Sequence, residues 1–292
     1  MTSHSAQLQW ITNELIEDHS IRLAVLREDL VHPITGGNKW RKLKYNFQQA
    51  KEKKFENILT FGGAYSNHLV ATAVAANQAG FKTIGLVRGE ESFPLNKTLQ
   101  TAAFHGMKFH YISREEFRKY RDENENTRDE LQSKFGRCFI IPEGGSNLQG
   151  VMGCREILNE KHADFDMVCA ATGTGATLAG LIASLKSHQQ ALGFCVLNNS
   201  GQLKVSINNR LAELNINHKD WKLNTDYDFG GYAKSNNDLR SFVFKFNNQF
   251  NIPVEPIYTG KMFYGIFDLI AKNYFPTGSR ILALHSGGLQ YL

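Results

Sequence analysis

The sequence predicts an α/β fold with mostly parallel sheets and helices on both faces. Two observations carry this. Short, continuously apolar runs alternate with helical segments, as expected of strands buried on both sides. Several of those runs also end in a glycine-bearing loop: TFGGAYSN, IPEGGSN, ATGTGATLAG and LHSGG. In open α/β sheets, ligands sit outside the carboxyl ends of strands, where such loops gather.

The elements follow in order. Ile58–Phe61 reads as a strand, GGAYSNH as its loop and LVATAVAANQAG as the helix after it. FKTIGLVRG is the next strand, a helix runs from about Asn96 to His105, and KFHYIS is a strand again. Ser113 to Gly136 is strongly charged and is expected to lie in solvent, on a smaller lobe away from the chemistry. RCFIIPEGG is strand plus glycine loop, and Leu148 to His162 reads as one helix. DMVCAAT is a buried strand, GTGATLAG its loop, and LIASLKSHQQ the continuing helix. GFCVLNN, WKLNTDY and RILALHSGG supply further strands.

With 292 residues the chain is long enough for one large domain or two modest ones. A 42% hydrophobic, 21% charged composition is that of a folded globular protein. The net charge of +5 comes from scattered residues, and KEKK at Lys51 to Lys54 reads as a solvated helix end, so no nucleic-acid partner is expected. Cys138, Cys154, Cys169 and Cys195 form no CxxC pair, and no Cys/His spacing suits a metal. No apolar run suits a bilayer, and the N-terminus lacks the pattern of a signal peptide. A cytoplasmic protein without a membrane partner is the expectation.

CAATGTGATLAG carries the clearest chemistry. Thr172, Gly173, Thr174, Gly175, Ala176 and Thr177 lie between a buried strand and a helix start, where glycines admit an anion to backbone N–H groups. The spacing is neither GxxxxGK[ST] nor GxGxxG. A dinucleotide would favour an acidic residue closing the next strand, and GFCVLNNS has none. Pyridoxal phosphate needs a lysine, and HPITGGNKWRKLKY places Lys39 at the first turn of a helix after Gly36 and Gly37. Glycines there would let the cofactor ring lie close to the backbone. Arg41 and Lys42 nearby would lower the pKa of such a lysine and favour its attacking form.

Together these segments resemble the fold type II pyridoxal-phosphate enzymes, the tryptophan synthase β-like class. Within it the match is to the family of 1-aminocyclopropane-1-carboxylate deaminase and D-cysteine desulfhydrase. GGNKWRKLKY matches the Schiff-base lysine segment, GGAYSNH the Ser-Asn-His loop and ATGTGATLAG the phosphate cup. PIYTGKMFYG and LHSGG match two C-terminal active-site loops, and the likeness runs from about residue 20 to 292.

The resemblance implies a pyridoxal 5′-phosphate cofactor on Lys39, which also moves the Cα proton. It implies that Asn67 bonds the cofactor ring hydroxyl, and that Gly173, Thr174, Gly175, Ala176 and Thr177 hold its phosphate. Ser66, with the amides of Asn67 and His68, would take the substrate carboxylate. Tyr258 would stand near the substrate amino group, and Tyr232, in GGYAK where the family has GYG, would be a second active-site tyrosine. Ser66 could instead simply cap a helix, His68 would equally be a structural residue of the helix start, and packing is the lesser alternative for Tyr232. A larger cofactor-binding domain of residues 1–45 with 150–292 is expected, a smaller one of 46–149, and an active site in the cleft between them. A homodimer acting on a small amino acid completes the expectation.

Two positions separate the branches. The deaminases have glutamate after the second tyrosine and leucine after the last histidine, whereas this chain has Thr259 and Ser286. A hydroxyl facing the pyridine nitrogen makes the ring a weaker electron sink than a carboxylate does. That suffices to expel a thiolate and poorly suits opening a cyclopropane. The expected activity is α,β-elimination of D-cysteine to pyruvate, ammonia and hydrogen sulfide. The alternatives are 1-aminocyclopropane-1-carboxylate deamination, a non-catalytic carrier of the cofactor or a small ligand, and a nicotinamide-dependent enzyme, which the loop spacing disfavours. The segment from residue 191 to 221 is shorter than the family's usual one.

Overall fold

The computed structural model describes residues 6–121, 124–197, 200–217 and 220–289. In chain order these form β1 (Gln7–Ile11), α1 (Glu14–Asp18), β2 (Arg22–Arg27), α2 (Gly37–Glu52), β3 (Asn57–Gly63) and α3 (Asn67–Ala79). There follow β4 (Lys82–Arg88), α4 (Lys97–Phe104), β5 (Met107–Ile112), α5 (Arg114–Arg121), α6 (Glu125–Phe135), β6 (Phe139–Ile141) and α7 (Leu148–Arg155). The remainder is β7 (Met167–Thr172), α8 (Ala176–Ile182), β8 (Gln190–Cys195), α9 (Ser200–Glu213), β9 (Trp221–Asn224), α10 (Asn237–Phe250), α11 (Thr259–Ala271) and β10 (Arg280–His285). The chain divides into two compact units at Asn38/Lys39 and Gly153/Cys154.

The unit from Lys39 to Gly153 is built on a parallel sheet of order β5-β4-β3-β6. Alternation along the strands feeds two cores. Leu59, Phe61 and Leu86 enter one with Phe117, Tyr120 and Leu131; Val87 enters the other with Leu69, Val70, Ala73, Val74 and Leu99. The charged stretch therefore does not simply lie in solvent. It forms the amphipathic helices α5 and α6, whose apolar residues cover one face of this sheet. Phe117 is 1% exposed, a burial worth about 1.5–3 kcal/mol. Residues 122 and 123, inside that stretch, lie outside the described residues.

The second unit, from the described residues 6–38 and 154–289, is built on a six-stranded sheet of order β1-β2-β10-β7-β8-β9. Only the edge pair β1–β2 is antiparallel. β2 was not anticipated: RLAVLR carries arginine at both ends, yet its centre is buried. One core joins Val25, Cys169, Leu192, Phe194 and Ala283 of the strands to Phe246 of α10 and Met262, Phe263 and Ile266 of α11. α10 and α11 were also unforeseen, since PIYTGKMFYG reads as loop yet turns helical at Thr259.

Two helices end earlier than the sequence predicts. α7 stops at Arg155 and a separate 3-10 turn follows at Glu160–His162; α8, Ala176–Ile182, is seven residues long. The strand read into GFCVLNN begins earlier, at Gln190, and ends at Cys195; Asn198 and Asn199 lie outside the described residues.

Small residues set how α7 approaches α2. A Cβ on Gly153 would stand 1.9 Å from the Arg41 carbonyl oxygen, and one on Gly150 2.0 Å from that of Gly145. Gly153→Ala must push backbone apart, so a loss of about 3 kcal/mol is expected, read as a lowered urea midpoint.

Candidate active site

In the Lys39–Gly153 unit, β3 delivers the Ser-Asn-His loop to the start of α3. Ser66 is the N-cap, its Oγ accepting from the Leu69 N–H at 3.4 Å. It fits because Gly62 is bare: a Cβ there would lie 2.6 Å from Ser66 Oγ. Asn67 begins the helix, and its buried Oδ1 meets no donor among the described residues. An acceptor of that kind suits a ligand hydroxyl.

His68 is buried, with Nε2 2.9 Å from Thr60 Oγ1. The Thr60 hydroxyl donates to the Ile141 carbonyl, so its oxygen must accept from the histidine. The ring is then protonated at Nε2, and Nδ1 is a bare acceptor with no partner among the described residues. Burial first, then the charges of Lys39 and Lys42, hold the His68 pKa well below 6.5. Lys39 is half-buried on the first turn of α2. Lys42, one turn on, is buried and donates to the Gly144 carbonyl at 3.1 Å.

In the second unit, β7 ends at Thr172, Gly173 and Thr174 follow, and Gly175 turns into α8 with φ +90°. Gly175 is the N-cap of α8 and brings no side chain to its first turn. The other side of Gly175 is closed, since a Cβ there would lie 2.8 Å from Ile207. Asn38 binds this loop, its Nδ2 donating to Thr177 Oγ1 at 3.1 Å, while its backbone N–H reaches the Ser286 carbonyl at 3.4 Å. Three predicted segments, TGGNK, ATGTGATLAG and LHSGG, thus meet at one asparagine. Sequence reasoning passed over Asn38; a polar residue between a glycine pair and the proposed lysine was the available signal.

The glycine pair has a different cause from the one its sequence suggested. Gly36 and Gly37 have φ of +48° and +20°. A Cβ on Gly37 would come within 2.8 Å of Glu28, and one on Gly36 within 3.4 Å of Gly287. Gly37 is bare because the Glu28 backbone packs against it, and Gly36 because the turn takes left-handed backbone there.

Tyr258 stands beside the loop between β7 and α8: a Cβ on Gly173 would be 3.4 Å from its Cε1. Its ring lies 6.0 Å from that of Tyr232 in an edge-on arrangement. Both predicted tyrosines therefore sit together. Thr259 is fully buried, its hydroxyl donating to Glu255 Oε1 at 3.1 Å. Glu255, which sequence reasoning missed, also accepts from the N–H groups of Ile257, Tyr258 and Thr259. Burial pushes its carboxyl up to about 7, against the pull of those four donors. Of the two branch-marking hydroxyls, Thr259 is committed to this carboxylate and Ser286 is the partly exposed one.

Ser286 is itself fixed by its neighbour. Buried His285 lies 2.6 Å from the Pro253 carbonyl through Nε2, and its Nδ1 receives the Gly287 N–H at 3.3 Å. Among the described residues no cluster of three His, Cys, Asp or Glu could hold a metal, and no helix is long and apolar enough to cross a membrane.

The model of the family described as "Pyridoxal-phosphate dependent enzyme" matches residues 12–287. The chain belongs to that family. Asn67 Oδ1, an unmet acceptor among the described residues, and the glycine turn into α8 are each the kind of group that its cofactor, pyridoxal phosphate, uses. A Pyrococcus furiosus protein provisionally named 1-aminocyclopropane-1-carboxylate deaminase is 34% identical over 91% of this chain and 84% of its own length. A mitochondrial Arabidopsis thaliana protein, named as a bifunctional D-cysteine desulfhydrase/1-aminocyclopropane-1-carboxylate deaminase, is 29% identical over 91% of this chain and 72% of its own. The crystal structure of an ACC deaminase homologue superposes with a TM-score of 0.83 at 27% identity, covering 99% of this chain and 90% of that one. The protein is thus a fold type II pyridoxal-phosphate enzyme of the deaminase and desulfhydrase family, with lyase chemistry.

The depressed His68 pKa has a measurable consequence. Below pH 6.5 an unfolded histidine takes a proton that the buried ring refuses, so stability is present above that pH and lost as pH falls. His68→Gln is expected to shrink the loss of melting temperature between about pH 6.5 and pH 5, because the group responsible is gone. Parallel melting curves for the two proteins check it.

Proposed function

We propose that the protein is a carbon–sulfur lyase that eliminates hydrogen sulfide from D-cysteine, giving pyruvate and ammonia. One observation carries the choice of branch. Thr259 stands where the resemblance puts glutamate in the deaminases, and Glu255, the acid bonded to it, has both oxygens engaged by backbone N–H groups. The hydroxyl left to meet a pyridine nitrogen is that of Ser286, which leaves the ring a moderate electron sink. Moderate is enough when the leaving group is a thiol.

Pyridoxal phosphate, when bound, supplies the sink for the electron pair left at the substrate Cα. Lys39 would anchor the cofactor, and its Nζ would take the Cα proton. Ser66 Oγ and the amides of Asn67 and His68 would hold the substrate carboxylate, with Asn67 Oδ1 receiving the cofactor's ring hydroxyl. The amides from Gly173 to Thr177 would hold the phosphate, with Thr177 steadied by Asn38. A neutral His68 adds no positive charge beside that carboxylate, so it acts by shape and by its Nδ1 acceptor. Tyr258 and Tyr232 would stand near the reacting amino group. Loss of the Cα proton and of the β-sulfur leaves an enamine that water converts to pyruvate and ammonia. A homodimeric, cytoplasmic setting with a small amino acid as the only partner belongs to the same reading.

The test is direct. Purified holoenzyme is given D-cysteine, L-cysteine and 1-aminocyclopropane-1-carboxylate, with sulfide, ammonia and keto acid measured. Sulfide from D-cysteine at a kcat/KM at least about 100-fold above ring opening is expected, a gap of about 2.7 kcal/mol. Ring opening at a comparable rate would assign the deaminase branch instead, and cofactor binding without any product would leave a carrier. Lys39→Ala should lose the visible band of the covalently held cofactor and slow elimination by about 10²–10⁴-fold.

A further inference from the structure

Lys261 lies on the first turn of α11 and is completely buried, yet the proposed chemistry makes no use of it. A buried ammonium is costly unless its donors are satisfied. Here two acceptors are backbone carbonyls: Nζ donates to the Asp228 oxygen at 2.6 Å and to the Gly231 oxygen at 2.7 Å. The same two carbonyls close consecutive turns. Asp228 accepts from the Gly231 N–H at 3.0 Å, and Gly231 from the Lys234 N–H at 3.2 Å. One ammonium therefore joins the closing oxygens of a double turn.

That double turn is an unfavourable piece of backbone. Phe229, Gly230, Gly231 and Ala233 have φ of +52°, +90°, +105° and +57°, and two of these residues carry side chains that resist the left-handed region. Ala233 occupies the position where glycine would be at ease. The compensation comes from α11. Lys261 grips the carbonyls, and Tyr264, three residues on, packs edge-on against the Phe229 ring at 5.1 Å. Tyr232 is the second residue of the second turn, 43% exposed, with its ring against Tyr258 at the N-cap of the same helix.

We propose that Lys261 is the positioning residue for Tyr232: by clamping the 228–234 double turn to α11 it sets that tyrosine against Tyr258. The proposal rests on the reading of the two tyrosines as active-site groups, and the experiment separates the two.

Tyr232→Phe, Lys261→Met and their combination are compared as holoenzymes on the amino acid that the wild type turns over, and Lys261→Gln is added. Methionine keeps the buried volume, and both carbonyls retain their backbone donors, so the fold is expected to survive. Each single change should lower kcat/KM about tenfold, with the double variant within about twofold of the poorer single, because Lys261 acts through Tyr232. Glutamine, whose amide offers two N–H groups, should recover most of the loss. Trypsin should cut after exposed Lys234 about tenfold faster in Lys261→Met than in the wild type.

Losses that multiply in the double variant overturn the proposal, as does an unchanged kcat/KM in Lys261→Met. An unchanged tryptic rate sinks the clamp itself. An unchanged kcat/KM in Tyr232→Phe sinks the catalytic reading of the tyrosine, while a raised tryptic rate in Lys261→Met would still establish the clamp. Should the methionine variant not fold, Lys261→Gln takes its place in the cycle, with a loss of about threefold that must still fail to multiply.

Discussion

The architecture turns on one asparagine. Asn38 uses its side chain to hold Thr177 at the head of α8 and its backbone N–H to reach the Ser286 carbonyl, and Lys39 is the next residue. Hydrogen bonds of this kind are worth about 1 kcal/mol each in stability. Their positional effect is larger. A strand-to-helix turn, the loop after β10 and the start of α2 are referred to a single side chain, so a shift in any of them is felt by the others. Bare Gly37 is the steric condition for that meeting, because a side chain there would press into Glu28, while Gly36 and Gly287 supply the left-handed backbone around it.

A second constraint is electrostatic, and burial enforces it. Thr60 obliges His68 to keep its proton on Nε2, and burial and the two lysines keep the ring neutral. Glu255 is the mirror case: an acid withdrawn from water, surrounded by donors, and spent on shaping the Ile257–Thr259 turn. In both places a titratable side chain gives up its freedom so that a neighbour, Asn67 in one unit and Tyr258 in the other, is delivered in a fixed orientation.

Much of this was legible in the residues. β3, β4, β7 and β10 announced themselves as continuous apolar runs, and ATGTGATLAG marked a glycine turn from strand into helix. What escaped notice has physical reasons. β2 is bounded by arginines, one of which, Arg27, is buried through its pairing with Asp29, so charge disguised a central strand. The charged stretch hid α5 and α6 because a few residues, Phe117, Tyr120 and Leu131, carry the burial while most of the length is polar. Asn38 and His285 act through side-chain bonds to segments far away in sequence, and no local pattern encodes a partner that distant; Glu255 bonds residues two to four positions on, in a turn no repeating pattern marks. The glycine pair was noticed, but its true neighbours, Glu28 and Gly287, appear only in three dimensions.

The placing of the cysteines has a bearing on how the chain withstands oxidation. All four are buried, and burial pushes Cys138 up to about 11 and Cys169 further. A thiol needs both its anionic form and an open path before it is capped by another sulfur or oxidised. With neither available, Cys138 and Cys169 serve as small apolar members of their two cores, and an oxidant in the surrounding water finds no thiolate there to attack.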